Sequence, residues 1–542
     1  MIAAQNENHF ETTARGRRGP VAESKEKAMT KLAKFWTTLA VVSLAAFPGS
    51  ADGSKASPPE KARQPATGIV SSVKIGLFGI GLETYWAQFE GLLPRLEGYQ
   101  KRIHDRLAST GAEVVDAGMV DTVAKARRAA AVFQKNGARL VFLYVSTYAL
   151  SATVLPVIRE AKMPVVVLNL QPEEAINYTR FNSLGDRGKM TGEWLAFCQA
   201  CAIPEIGSLF NRAAVPFHQV TGTLDDPEAW REIEEWVEAA RVAEVMAQNR
   251  LGILGHYYTG MLDVYSDPAQ QSVSFGTRIE YIEISELRAL RDQVKENEIA
   301  AKTAELHQDF EVLPECPGEE VRRAALTACA LDRLVEARNL GSLAYYFEGT
   351  PGSEEEDIVT SIIAGNSLLT ARHIPVAGEG EVKNAQAMKI MDAFGAGGSF
   401  SEFYALDFNE DVILMGHDGP GHLAIAAGKP VLKPLGVFHG KPGKGLSVEM
   451  KVRNGPVTLL AVAQTREGRL KLLAAEGESV PGPILEIGNT NSRYKFPLGV
   501  KAFVEAWSSQ GPAHHCAIGL GHIASKIQKL AALLGLEFVR VC

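Results

Sequence analysis

The chain has 542 residues, 46% of them hydrophobic and 22% charged, with a formal net charge of −7. That length is too great for one hydrophobic core, so two to four domains are expected. The acidic balance argues against a nucleic-acid partner, which needs a basic face, and six cysteines are too few for a disulfide scaffold.

Residues 1–28 are polar and charged and read as a disordered tail. From Met29 the pattern changes: Lys31 and Lys34 precede an apolar run, Phe35 to Phe47, and then Pro48-Gly49-Ser50-Ala51. This is the order of a secretory signal, too short to span a bilayer, so no membrane association is expected of the mature form. The pattern favours export to a periplasm-like compartment; the alternative is a fortuitously apolar tail on a cytoplasmic enzyme. Residues 52–72, rich in Ser, Pro, Lys and Ala, read as a linker.

Folded sequence begins at Val73–Phe78, a short apolar strand ending in a glycine turn. A helix through 86–107, a strand at 113–116, a helix at 120–136, a strand at 140–145, a helix near 150–161 and a strand at 164–169 follow. Strands alternating with helices of this length predict a parallel sheet, here a Rossmann-like or flavodoxin-like α/β domain over 73–245. The turn Gly79-Ile-Gly81 lacks the third glycine of a dinucleotide fingerprint and no Walker sequence is present, so no nucleotide cofactor is expected. Cys198-Gln-Ala-Cys201 reads in three ways: a redox pair, half a metal site, or small apolar helix residues at i and i+3. The last is favoured, because no second CxxC completes a zinc site; in an exported chain a local disulfide becomes available.

A second parallel-sheet α/β domain is expected over 246–429. Strands are predicted at 251–254, within 274–284, at 340–347 and at 374–377, around a helix-rich, charged stretch at 285–340 whose charges form a solvated face. From 430 the texture changes to apolar–polar alternation around Asn454-Gly455 and Glu467-Gly468. That predicts antiparallel hairpins and a small C-terminal β-barrel domain over 430–542, closed by a helix at 518–534 and a strand at 537–541.

The residues that carry chemistry cluster near the end of the second α/β region. Glu379 lies between two glycines just past a predicted strand, where open parallel sheets bind ligands. Glu402 follows Ser399-Phe-Ser in an otherwise apolar stretch, and a buried carboxylate needs a partner or a metal. His417 ends an apolar strand; His514 and His515 are adjacent, so on an extended segment they would point to opposite sides. Two carboxylates and two imidazoles suit Mn²⁺ or another divalent metal, and the carboxylates can also move protons.

The segment Ala377-Gly-Glu-Gly-Glu-Val-Lys383, then Ser399-Phe-Ser-Glu402, Gly416-His417 and Ala513-His514-His515, resembles the L-arabinose isomerase family and the related L-fucose isomerases in the same order. The resemblance implies two α/β domains and a C-terminal β-barrel, with Glu379, Glu402, His417 and His515 holding Mn²⁺ and with Glu379 and Glu402 as the proton-transferring pair. His514, Gln171 and His422 are secondary candidates, for contact with the sugar or support of a ligand. The implied activity is a metal-dependent aldose–ketose isomerisation of a pentose or 6-deoxyhexose through a cis-enediol, in a homo-trimer or homo-hexamer with sites at subunit contacts. Two departures concern the substrate. Leu184 stands where arabinose isomerases carry the histidine of a His-Gly-Asp-Arg segment, and Gly81–Trp86 replaces a glutamine-containing loop; both argue against L-arabinose. The competing expectation is a non-catalytic, exported carbohydrate-binding protein on an isomerase-like scaffold, supported by the signal-like N-terminus. A hydrolytic or intramolecular metalloenzyme is a third.

Overall fold

The computed structural model describes residues 72–436 and 443–542. The disordered tail, signal-like segment and linker expected before residue 72 lie outside the described residues.

The first sheet holds five parallel strands: β1 (Lys74–Ile80), β2 (Glu113–Val120), β3 (Leu140–Val145), β4 (Val165–Gln171) and β5 (Phe217–Thr223), in the order β2-β1-β3-β4-β5. Strand β1 is buried on both faces, and its alternation explains why. Ile75 and Leu77 pack with Ile103, Leu107 and Trp230, while Phe78 and Ile80 pack on the other side with Phe133, Val154 and Phe210. Helices cover both sides, the flavodoxin-like arrangement expected. The helix predicted at 86–107 is two, Thr84–Gln88 and Leu92–Ser109, separated where Gly91 takes φ +83°. Cys198 and Cys201 are joined by a disulfide.

The second sheet contains β6 (Arg250–Gly255), β7 (Arg278–Ile282), β9 (Ser342–Tyr346) and β10 (Val376–Ala377), all parallel, in the order β10-β9-β6-β7. The strand expected across 274–284 is shorter, because Asp267 caps a helix, Pro268–Phe275, by accepting from the Ala269 amide. A two-residue strand, β8 (Glu311–Val312), lies between these elements and pairs elsewhere. After β10 comes the helix Val382–Ala393, buried from Val382 through Asp392.

Six antiparallel strands form a closed barrel, β15-β18-β11-β12-β17-β16, in which β15 pairs back onto β16. They are β11 (Gly397–Asp407), β12 (Val412–His417), β15 (Gly455–Gln464), β16 (Leu470–Val480), β17 (Thr490–Lys495) and β18 (His515–Leu520); β13 (Val431–Pro434), β14 (Leu446–Glu449) and β19 (Glu537–Arg540) lie outside the ring. Strands β11 and β12 thus belong to the barrel, although their sequence stands ahead of the predicted boundary at 430. The first apolar stretch after 430 pairs instead with β8, in a three-stranded sheet. The helix predicted at 518–534 starts only at Ala524: β18 holds residues 515–520 through its pairing with β11 and β15. Ile518 and Leu520 fit either period, and the strand ladder decides between them.

Candidate metal centre

Three neighbouring barrel strands and one loop after β10 build the site. In the β11 ladder, Glu402 stands opposite His515 of β18 on one side and opposite Gly416 of β12 on the other. Residues far apart in sequence thereby become lateral neighbours. Gly416 is required for this spacing, since a Cβ there would lie 1.7 Å from the Thr490 carbonyl oxygen. The Thr490 hydroxyl accepts from the His417 amide and donates to the His417 carbonyl, which fixes the end of β12.

Glu379 arrives from the second sheet. It takes φ +57° and Gly380 φ +71°, a left-handed pair that turns the chain sharply between β10 and the buried helix. The Glu379 carbonyl accepts from the Tyr258 amide. The free amides at the start of the helix Val382–Ala393 lie immediately beyond, a favourable place for carboxylates.

Glu379, His417 and His515 offer ligand atoms that all lie within 4.8 Å of one another, and so do Glu402, His514 and His515. Glu379 Oε2 is 3.3 Å from His515 Nε2 and 3.6 Å from His514 Nε2; Glu379 Oε1 is 3.9 Å from His417 Nε2, and Glu402 Oε2 is 3.9 Å from His514 Nε2. Phe400 packs against the His417 and His515 rings, with centroids 4.3 and 4.4 Å away. Glu379 Oε2 and His515 Nε2 are both buried and face each other at 3.3 Å, and among the described residues neither makes a hydrogen bond to any other group. A buried carboxylate oxygen and an imidazole nitrogen facing each other in this way fit a shared cation.

The electrostatics agree. Burial pushes the Glu379 carboxyl up, but His514 and His515 beside it outweigh that and hold it well below the usual carboxylate range. Burial opposes charge on His515, yet Glu379 and Glu381 raise it to about 10. The pocket therefore holds a positive charge even when that charge is only a proton.

The pair His514–His515 departs from expectation. The two rings lie on the same side, with centroids 3.8 Å apart, because His514 sits in a bend before β18 rather than in the strand. Alternation applies only within the strand. Asp263 holds His514 there, accepting from its amide at 3.0 Å and contacting Nδ1 at 2.6 Å; despite burial, those contacts lower the Asp263 carboxyl.

Gln171 and His422 do not join either group of converging ligand atoms. Gln171 ends β4 in the first sheet and donates to the Glu173 carbonyl. His422 is buried, and among the described residues neither of its ring nitrogens has a hydrogen-bond partner.

Three supporting groups carried no assigned role in the sequence. Glu381 Oε2 lies 2.5 Å from His515 Nδ1, Asp263 supports His514, and Asp418 Oδ1 lies 3.2 Å from His417 Nδ1, which accepts from the Gly419 amide. Carboxylates placed behind metal-binding imidazoles orient the ring and strengthen it as a ligand. Glu381 and Asp418 had one available signal, their adjacency to Glu379 and His417. Asp263, more than a hundred residues upstream, had none. Lys383 reaches back to the Asp263 carbonyl and lies 4.0 Å from Glu381.

Comparison with known proteins bears on the same region. A family model described as the L-arabinose isomerase C-terminal domain matches residues 397–537. The chain is 22% identical over 347 residues to "L-arabinose isomerase" of Aeromonas salmonicida, covering 62% of this chain and 68% of that protein. It is 24% identical over 352 residues to "L-arabinose isomerase" of a Nocardioides species, with the same coverage. To "L-arabinose isomerase 2" of Clostridium acetobutylicum it is 24% identical over 354 residues, covering 59% of this chain and 67% of that one. A solved ABC-transporter solute-binding protein from Burkholderia multivorans aligns with 57% of this chain and 97% of its own at 14% identity, but its TM-score of 0.16 carries no argument.

Proposed function

Because this chain is a divergent member of an arabinose isomerase-like family, we propose that it interconverts an aldose and a ketose, acting on a pentose or 6-deoxyhexose with Mn²⁺ or another divalent metal. The carrying observation is the convergence of Glu379, His417 and His515 on one point, with Glu379 Oε2 and His515 Nε2 buried face to face at 3.3 Å. Glu379, Glu402, His417 and His515 would hold the metal, with His514 beside them. When bound, such an ion would polarise a carbonyl and the neighbouring hydroxyl, acidifying the C–H of the hydroxyl-bearing carbon.

The chain's own groups divide the remaining work. Glu379 contacts three imidazoles and is kept ionised by them, which suits it to hold charge. Glu402 contacts only His514 among them, at 3.9 Å, and its side chain is 26% exposed. It is freer to move a proton. Glu402 takes the C2 proton of the open-chain aldose, giving a cis-enediol, and returns a proton to C1 while another passes from O2 to O1. Phe400, at the back of the imidazoles, keeps water from that side. A homo-oligomer is part of the same reading: Leu262, Val273 and Tyr281, 75%, 81% and 65% exposed, lie on the segment that also supplies Asp263. Leu184, in place of the family's histidine, directs the search beyond L-arabinose.

The test is to strip the protein with a chelator, restore Mn²⁺, and follow ketose formation across a panel of aldopentoses and 6-deoxyhexoses. Metal-dependent ketose formation is expected, falling about 10²–10⁴-fold in Glu402→Gln. Protein that retains no divalent metal, with sugar affinity unchanged in Glu379→Gln, would overturn the reading in favour of carbohydrate binding alone.

A further inference from the structure

The disulfide between Cys198 and Cys201 takes no part in the metal centre. Cys198 immediately precedes the helix Gln199–Arg212 and its sulfur makes no capping bond to that helix; Cys201 lies in the first turn. Cys198 is 1% exposed, whereas Cys201 is exposed. Cross-linking residues only three apart restricts the unfolded chain little, so the bond contributes less as a staple than a long-range bridge would.

Its position in the first sheet is more telling. Gln199 Nε2 donates to the Ser146 carbonyl at 2.9 Å, and the Ser146 hydroxyl donates to the Ile80 carbonyl at 2.6 Å. These contacts fasten the start of the helix to the carboxyl ends of β1 and β3, adjacent strands between which the order β2-β1-β3-β4-β5 reverses. Parallel α/β sheets receive ligands in the crevice at that point.

We propose that Cys198–Cys201 is a thiol–disulfide exchange centre, open to thiols such as glutathione and entered at the Cys201 sulfur. An incoming thiolate attacks Cys201 Sγ, the bond to Cys198 breaks, and the electron pair leaves on Cys198 as a thiolate. Cys198 immediately precedes the helix, where the helix dipole favours a thiolate. A second thiolate attacks the outer sulfur of the mixed disulfide, releasing the Cys201 thiolate and the oxidised small-molecule disulfide. The balance is one protein disulfide and two thiols in, one protein dithiol and one external disulfide out. Burial of Cys198 and exposure of Cys201 set the direction of entry.

The experiment uses the full chain with glutathione, acid quenching, alkylation and mass spectrometry, which also resolves the free thiols at 316, 329, 516 and 542. Reduced glutathione should open the wild-type disulfide and leave a transient adduct on Cys201, located by peptide fragmentation. With oxidised glutathione, Cys198→Ser should accumulate the adduct at Cys201 at least ten times faster than Cys201→Ser does at Cys198. Should either variant fail to fold, location of the wild-type adduct decides alone. A wild-type disulfide untouched by excess reduced glutathione in the folded protein, or entry at Cys198, would overturn the proposal.

Discussion

Glu381 and His515 form a buried pair, the carboxylate Oε2 lying 2.5 Å from the imidazole Nδ1 with both side chains almost wholly enclosed. The contact leaves Nε2 of the same ring as the free ligand atom facing Glu379. It therefore fixes which nitrogen serves the site.

Replacing Glu381 by Gln keeps the shape but removes the charge. Divalent-metal affinity should fall about 10–100-fold, measured by competition with a chelating dye, while the far-ultraviolet circular dichroism stays unchanged. Equal affinity in the two proteins would show that Glu381 is not supporting His515.

The raised value of His515, about 10, would make binding of a divalent metal at the proposed site a proton-releasing event. Below that pH the metal-free imidazole carries a proton, which the ion must displace. Apparent affinity should then rise about tenfold per pH unit through neutrality. Calorimetry in buffers of different ionisation enthalpy should detect at least one proton released per ion; none at pH 7 would contradict the coupling.

Gly380 allows the turn that delivers Glu379. A Cβ there would stand 2.5 Å from the His256 carbonyl oxygen and 2.9 Å from Tyr257 Cα, at φ +71°. Gly380→Ala should cost about 1–3 kcal/mol in backbone strain, with further loss from the clash, and should empty the site of metal. Gly395, at φ +75° with nothing within 4 Å, is the control: its alanine variant meets only the backbone penalty. Urea midpoints and metal content of the two variants provide the comparison.

His422 gives the fold an acid sensitivity. Burial, only partly opposed by Asp392, lowers it to about 4, against about 6.5 in an unfolded chain. Between those values the unfolded state binds the extra proton, so stability falls as pH drops from about 6.5 to about 4. The loss is on the order of 3 kcal/mol. His422→Leu should show a shallower decline in melting temperature from pH 7 to pH 4.5 than the wild type; parallel declines would exclude His422 as the source.

Glu379 and His417 could be picked out at predicted strand ends, Glu402 as a carboxylate in an apolar stretch, and His515 as one of an adjacent pair following a glycine turn. Their motifs also follow the order of a known family. The bend that turns His514 to the same side as His515 had no local signature. Nor did Asp263, whose role depends on the path taken by the segment after β6. The disulfide shows a similar limit: the spacing of Cys198 and Cys201 favours two small apolar helix residues, and the structure instead joins them, with Cys198 buried and Cys201 exposed.

Local patterns in the sequence were enough for the two parallel sheets, the C-terminal antiparallel strands and the residue types gathered at the candidate site. Burial periodicity and turn residues act over a few neighbours and can be read along the chain. Only the tertiary structure decided that β11 and β12 close the barrel, that Glu402 faces His515 across a strand ladder, and that Glu381, Asp418 and Asp263 stand behind the imidazoles. Those relations are set by strand register and by contacts between distant segments, where the energy of a pairing depends on both partners at once.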